Sequence, residues 1–260
     1  MPPESAALVT GGARRIGAHL ARTLAGRGYA VAIHYGSSAA KAEALAEEIE
    51  RAGGRAAAIQ SDLADPVQLE ELMAAAQAAV GPIQVLVNNA AVFEHDRAAD
   101  FSLDQWDRQL AINLRAPVVL ARAFARLVSG DANGLVVNLL DQRIAAPTRG
   151  YFSYTVSKLA LAAATELLAT ALAPRVRVNG IAPGLTLKSG AQTEADFERL
   201  IHRTPLGKGS SLEAIAQALV YFLEADAVTG QILFVDGGRR LVGRVPDDPP
   251  MVGSSRPGPE

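Results

Sequence analysis

Short apolar runs alternate with longer amphipathic stretches along almost the whole chain, and this rhythm constrains the fold more than any single motif does. The runs read "AALVT", "AVAIHY", "AAAIQSDL", "IQVLVNNA", "GLVVNLL", "VRVNGIAP" and "QILFVDGG". Helical patterns fill the intervals: Gly17 to about Arg27, "AAKAEALAEEIERAG", "DPVQLEELMAAAQAAVG", "SLDQWDRQLAINLRAPVVLARAFARLV", a helix beginning near Tyr154, and "LEAIAQALVYFL". Strands that are apolar on both faces, each followed by a helix, predict a parallel sheet covered by helices on both sides. The expected class is α/β, a single doubly wound domain. Ligands of such sheets bind in the crevice at the carboxyl ends of the strands. Thr10, Asp62, Asn88, Asp141 and Pro183 all fall at those ends, so separate segments converge on one edge.

The chain has 260 residues, enough to bury the core of one large α/β domain, expected over 1–243. A long connection at about 185–211, containing "TEADFERLIHRTPL", leaves the crevice edge and is the candidate substrate loop. The final stretch 244–260, "RVPDDPPMVGSSRPGPE", is too poor in large apolar residues to pack and is expected to form a flexible tail. A net charge of -2 with scattered basic residues gives no electrostatic case for nucleic acid or an anionic membrane as partner. Cysteine is absent and the four histidines lie far apart, so neither thiol catalysis nor a metal site is expected. No signal-peptide pattern opens the chain and no apolar run is seen to reach the roughly 18 residues of a membrane span, which makes the expected location cytoplasmic.

After the first strand, "TGGARRIG" places Gly11, Gly12 and Gly17 at a strand-to-helix turn. Glycine lets backbone N–H groups approach a pyrophosphate, and the helix N-terminus adds partial positive charge. A tight turn with no ligand is the alternative, but the βαβ pattern that follows favours a dinucleotide. An NAD-preferring site carries an acidic residue about 20 residues beyond the turn. This chain reads "HYGSSAAK" there, without a carboxylate, and Arg14 and Arg15 lie nearby to attract a 2′-phosphate. NADPH is therefore the expected cofactor. His34, Tyr35, Ser37 and Ser38 are candidate phosphate neighbours, or ordinary strand-end residues.

Farther along, "YTVSK" sets Tyr154 and Lys158 one helical turn apart on one face. A lysine beside a tyrosine is expected to lower the phenol's pKa from about 10 toward the working pH, making Tyr154 a proton donor.

In this order, "TGGARRIG", "NNA", Asn113 in "AINL", "YTVSK" and "APG" resemble the short-chain dehydrogenase/reductase family, over Leu8 to Gly238. The resemblance implies a Rossmann domain that binds a nicotinamide cofactor and a small-molecule substrate, assembled as a homotetramer through helices around Trp106 and Leu161. It implies that Gly11 and Gly17, with Ile16 between them, hold the diphosphate, and that Asp62 and Leu63 sit at the adenine. Asn88, Ala90, Pro183 and Gly184 line the rest of the cofactor site. Tyr154 is the implied acid or base, Lys158 holds the nicotinamide ribose and tunes Tyr154, and Asn113 anchors a proton-relay water. Asn88 and Asn113 can equally serve as structural hydrogen-bonding residues.

Two departures refine the resemblance. Arg15 stands where the family usually has glycine, and Asp141 stands where a serine is common. With "HYGSSAA" and Phe93, both look like the pteridine reductase and dihydromonapterin reductase branch, although an arginine frequent there near Ser37 is missing. That branch implies that Arg15 reaches over the diphosphate to the substrate, that Phe93 stacks on a pterin ring and that Asp141 partners Tyr154. The chemistry agrees. An ionised Asp141 accepts hydrogen bonds and repels a developing alkoxide, which disfavours ketone reduction, whereas a C=N group gains basicity at nitrogen and tolerates a carboxylate. Phe93 is otherwise a core residue and Asp141 otherwise caps a turn. The competing readings are a reductase of a ketone such as a 3-oxoacyl thioester, and a non-catalytic NADP-sensing regulator.

Overall fold

The computed structural model describes residues 5–128, 133–188 and 193–242. Its sheet has seven parallel strands, β1 (Ala6–Val9), β2 (Ala30–Tyr35), β3 (Ala56–Gln60), β4 (Ile83–Asn88), β5 (Gly134–Leu139), β6 (Val176–Pro183) and β7 (Ile232–Val235), in the order β3-β2-β1-β4-β5-β6-β7. The order reverses between β1 and β4, which opens the crevice expected of a doubly wound sheet.

Alternate residues of each strand face opposite layers. Val9, Ile33, Val85 and Val137 point into one apolar layer, where α1 (Arg15–Gly26) supplies Leu20 and Leu24, α2 (Ala39–Arg51) supplies Leu45 and Ile49, and α8 (Leu212–Glu224) supplies Leu219 and Phe222. Leu8, Ala32, Leu86 and Val136 point the other way. They meet Leu69 and Leu72 of α3 (Pro66–Val80) and Leu120 and Phe124 of α5 (Ala116–Leu127).

The long helix expected before β5 is not uniform. It runs as α4 (Leu103–Leu110), a π-helical turn at Ala111–Arg115, and α5. Such one-turn widenings are frequent at functional sites, and this one carries the buried candidate residue Asn113. Helix α6 (Phe152–Leu172) corrects a second expectation. By length and composition, with mean hydropathy 1.3 in its best window, it matches a membrane span. It nevertheless packs on β6, and it buries Tyr154 and Lys158 at its crevice end and Leu161 along its length. Leu161 is thus a core residue, while Leu159 and Leu167 of the same helix face outward. A short helix, α7 (Glu194–His202), forms inside the candidate substrate loop; 189–192 of that loop and the expected tail 244–260 lie outside the described residues.

Candidate active site

The glycine turn is held by neutral polar groups. Gly11 has φ 59°, and its N–H donates to Nδ1 of His34 at 3.0 Å. A Cβ on Gly17 would sit 2.3 Å from the Gly11 carbonyl oxygen, so only glycine closes the helix onto the turn. Asn89 braces the same turn, its side-chain amide donating to the carbonyls of Thr10 (2.9 Å) and Gly11 (3.1 Å). The Ala90 N–H donates to the Thr10 hydroxyl at 3.1 Å. Asn89 was legible only as part of "NNA", without a role of its own.

His34 differs from its expected part. It is buried, and its Nε2 lies 3.0 Å from the Ser61 carbonyl. With Nδ1 accepting from Gly11, Nε2 carries the proton and donates, so the ring is a neutral cross-link from the turn to Ser61, the residue after β3, and not a surface phosphate contact. Burial holds its pKa below the usual 6.5. Ser37 and Ser38, with Tyr35 beside them, remain at the outer end of β2. Asp62 is exposed and accepts the Ala64 N–H at 2.9 Å, and Leu63 is buried behind it.

Helix α1 has no side-chain cap and no acidic residue in its first turn. Its orphan N–H groups, the exposed Arg14 and Arg15, and the lack of a carboxylate at the end of β2 together form a donor set that fits a dinucleotide diphosphate with a 2′-phosphate. Arg15 adopts φ 53°, a left-handed conformation that glycine ordinarily supplies at a cost-free position. Its guanidinium donates to the Lys188 carbonyl at 3.2 Å, linking the turn to the segment after β6. At the end of β6, beyond Pro183, the Gly184 N–H meets Ser210 Oγ at 2.7 Å.

Across the crevice, the ends of β5 and α6 bring the candidate reactive groups together. The Tyr154 hydroxyl donates to Oδ2 of Asp141 at 3.0 Å, and Oδ1 of Asp141 accepts the Arg143 N–H at 2.8 Å. Burial raises the Asp141 pKa, with Arg143 opposing. Burial, then the Asp141 charge, pushes the Tyr154 phenol well above its usual value. The expected lowering by Lys158 is therefore reversed, by burial first and by the placement of the charges second. The Lys158 ammonium lies 5.8 Å from the centroid of the phenol ring and donates to the Leu139 carbonyl at 2.6 Å, whereas the carboxylate is in direct contact with the phenol oxygen. Burial also drops the Lys158 pKa to about 8. Tyr154 thus holds its proton at neutral pH and can act as an acid.

Phe93 is half-open to the crevice rather than a core residue, at 40% exposure. Its ring meets the edge of Tyr154 at 4.7 Å and stacks flat on Tyr151 at 4.2 Å, with the Arg143 guanidinium 4.9 Å from the Tyr151 ring. Neither Arg143 nor Tyr151 carried a signal in the sequence. The Asn88 side-chain amide donates to the side-chain Oδ1 of Asn138 at 2.9 Å, tying β4 to β5. The Asn113 amide is spent on the Val92 backbone, accepting at 2.8 Å and donating at 2.9 Å, and donates to Ser157 Oγ at 3.1 Å. Its side chain therefore fixes the Phe93 loop against α6. Among the described residues no cluster of metal-ligating side chains occurs.

Comparison with known proteins follows the same lines. A family model described as enoyl-(acyl carrier protein) reductase matches residues 11–240. The crystal structure of FolM alternative dihydrofolate reductase 1 from Brucella canis, complexed with NADP, superposes with a TM-score of 0.91 at 43% identity, covering 95% of this chain and 98% of that one. An uncharacterized oxidoreductase of Methylorubrum extorquens is 34% identical over 90% of this chain and 97% of its own length. The 3-oxoacyl-(acyl-carrier-protein) reductase FabG of Staphylococcus aureus is 30% identical over 92% and 99%. With the glycine turn, the seven-stranded parallel sheet and the tyrosine–lysine helix on one crevice, the chain belongs to the short-chain dehydrogenase/reductase family of oxidoreductases.

Proposed function

We propose that this protein is an NADPH-dependent reductase of dihydropterins, similar in activity to pteridine and dihydromonapterin reductases. The observation that carries the reading is the 3.0 Å bond from the Tyr154 hydroxyl to Asp141. A carboxylate beside the proton donor disfavours an alkoxide, and it suits a substrate whose developing charge is a basic nitrogen. Phe93 supplies a flat apolar wall at the edge of Tyr154. The likeness to a Brucella dihydrofolate reductase complexed with NADP supports both substrate class and cofactor.

The residues that would hold the cofactor are the α1 turn from Gly11 to Gly17 with Arg14 and Arg15, the β2 end from Tyr35 to Ser38, Asp62 and Leu63 at the adenine, and Asn88, Ala90, Pro183, Gly184 and Lys158 along the nicotinamide half. Bound there, NADPH supplies the hydride that reduces the C6=N5 bond of a 7,8-dihydropterin at C6. Tyr154 gives its proton to N5. Asp141, close enough to accept from the phenol, orients the hydroxyl, and once the phenol has lost its proton the carboxylate takes one up from solvent and relays it to the phenolate, a passage that its burial-raised pKa favours. Lys158, held on the Leu139 carbonyl 5.8 Å from the phenol ring centroid, adds positive charge near the phenolate without touching it, and Phe93 and Arg15 hold the pterin ring. Assembly as a homotetramer belongs to the same reading, with Leu103, Leu159 and Leu167 giving α4 and α6 apolar outward faces.

Similarity to FabG favours a second reading, reduction of a 3-oxoacyl thioester. NADPH oxidation measured against dihydrobiopterin, dihydromonapterin, dihydrofolate and a panel of ketones separates the two. Under the pterin reading, Asp141→Ser lowers dihydropterin turnover by about tenfold or more, one 1.4 kcal/mol step in the barrier, and raises ketone turnover. Wild-type activity confined to ketones would overturn it.

A further inference from the structure

Asp96 lies in the loop just beyond Phe93 and touches none of the reactive groups, yet it is a buried carboxylate, 4% exposed. Both of its oxygens accept the backbone N–H of Ser153, at 3.1 and 3.3 Å. Its backbone carbonyl accepts the N–H groups of Tyr151 at 2.9 Å and Phe152 at 3.5 Å. These are the donors that the first turn of a helix leaves without partners. Helix α6 has no capping side chain of its own, because its N-cap residue is Tyr151, held in a left-handed conformation at φ 60°, ψ 45°. A remote residue therefore caps the catalytic helix at the position directly before Tyr154, and its negative charge suits the positive end of that helix.

The same loop reaches α6 a second time through aromatic contact. Phe93 stacks on Tyr151 with rings 6° from parallel and meets the edge of Tyr154. A Cβ on Gly150, at the foot of α6, would come within 3.0 Å of the His95 side chain, so the loop and the helix start lie close together. Loosening Asp96 would free the substrate wall and the proton donor together. We infer that Asp96 is a positioning residue that locks the Phe93 wall to the helix carrying Tyr154, so that both are presented to the substrate in one fixed relation. Its kinetic consequence rests on the dihydropterin reading above; the lock itself does not.

Two variants test it. Asp96→Ala removes the cap, and Asp96→Asn keeps an oxygen that accepts from Ser153. Amide hydrogen exchange read by mass spectrometry is expected to quicken in Asp96→Ala over 91–96 and 151–155 together and to stay unchanged elsewhere, with Asp96→Asn close to wild type. In parallel, Asp96→Ala lowers kcat for a dihydropterin by about tenfold to 10²-fold, as misplacement of reacting groups by an ångström does, with the NADPH Kd unchanged and activity rescued in Asp96→Asn. Exchange that quickens in only one segment, or throughout the chain, overturns the proposal. So does an Asp96→Asn enzyme as impaired as Asp96→Ala, or an Asp96→Ala enzyme of undiminished kcat. If Asp96→Ala does not fold, Asp96→Glu, which keeps the charge and misplaces it, takes its part in the same comparison. A wild-type protein that reduces no dihydropterin removes the substrate reading alone, and the exchange pattern then decides the role of Asp96.

Discussion

The two walls of the crevice are built on different physics. On the β1 side, backbone groups and neutral side chains shape a turn in which Gly17 leaves no space for a methyl group and Gly11 holds a positive φ, and His34 and Asn89 serve as uncharged ties. On the β5 side, Asp141, Tyr154 and Lys158 are ionisable groups packed together, and burial sets the direction in which each is displaced. The first wall fails when its shape changes, the second when its protonation changes. Binding and chemistry should therefore be separable by mutation and by pH.

The largest effect is expected from Tyr154→Phe, which keeps the ring against Phe93 and removes only the acidic proton. Turnover should fall by about 10²–10⁴-fold, the usual contribution of a positioned acid, with NADPH affinity measured by fluorescence titration intact. A parallel loss of cofactor binding would erase the distinction between the walls.

Gly17→Ala is the complementary experiment. Its new Cβ would collide with the Gly11 carbonyl and with the Asn89 amide nitrogen, 2.5 Å away. Overpacking of this kind costs about 1–3 kcal/mol, read as a lower Tm. The NADPH Kd should rise about tenfold, equivalent to ~1.4 kcal/mol, while kcat at saturating cofactor is retained.

The smallest effect is a pH dependence with two opposed signs. Lys158 is charged below about 8 and neutral above it, so kcat/KM should decline as pH rises through that value. In the unfolded chain the same lysine keeps its proton until about 10.5. Between those values the unfolded state binds more protons, and the contribution of Lys158 to stability rises with pH. Activity falling while thermal stability holds or grows assigns the alkaline limb to Lys158; joint loss would point to unfolding instead.

Much of this was legible in the chain because strands, helices and glycine turns are local. The period of the apolar runs located the seven strands, and "TGGARRIG" located a turn whose left-handed Gly11 follows from the absence of a side chain. The pairing of Asp141 with Tyr154 was also reachable, through resemblance to a branch that carries a carboxylate there. The direction of the Tyr154 shift was not. Helical spacing placed Lys158 near the phenol ring but could not say that its ammonium would turn to the Leu139 carbonyl. Nor does any pattern around His34, Tyr151 or Asp96 announce that the first ties a turn to Ser61 just after β3, that the second adopts φ 60°, or that the third caps a helix from a distant loop.

By itself, then, the sequence determined the doubly wound sheet and the edge where its strand order reverses, since these depend on backbone preferences and periodicities that act over a few residues, and it carried the family through the motifs that resemble it. Tertiary structure alone decided which of the assembled groups holds a proton. That outcome depends on distances and burial among residues far apart in the chain, and charge interactions in a desolvated pocket change sign of effect with who stands nearest to whom.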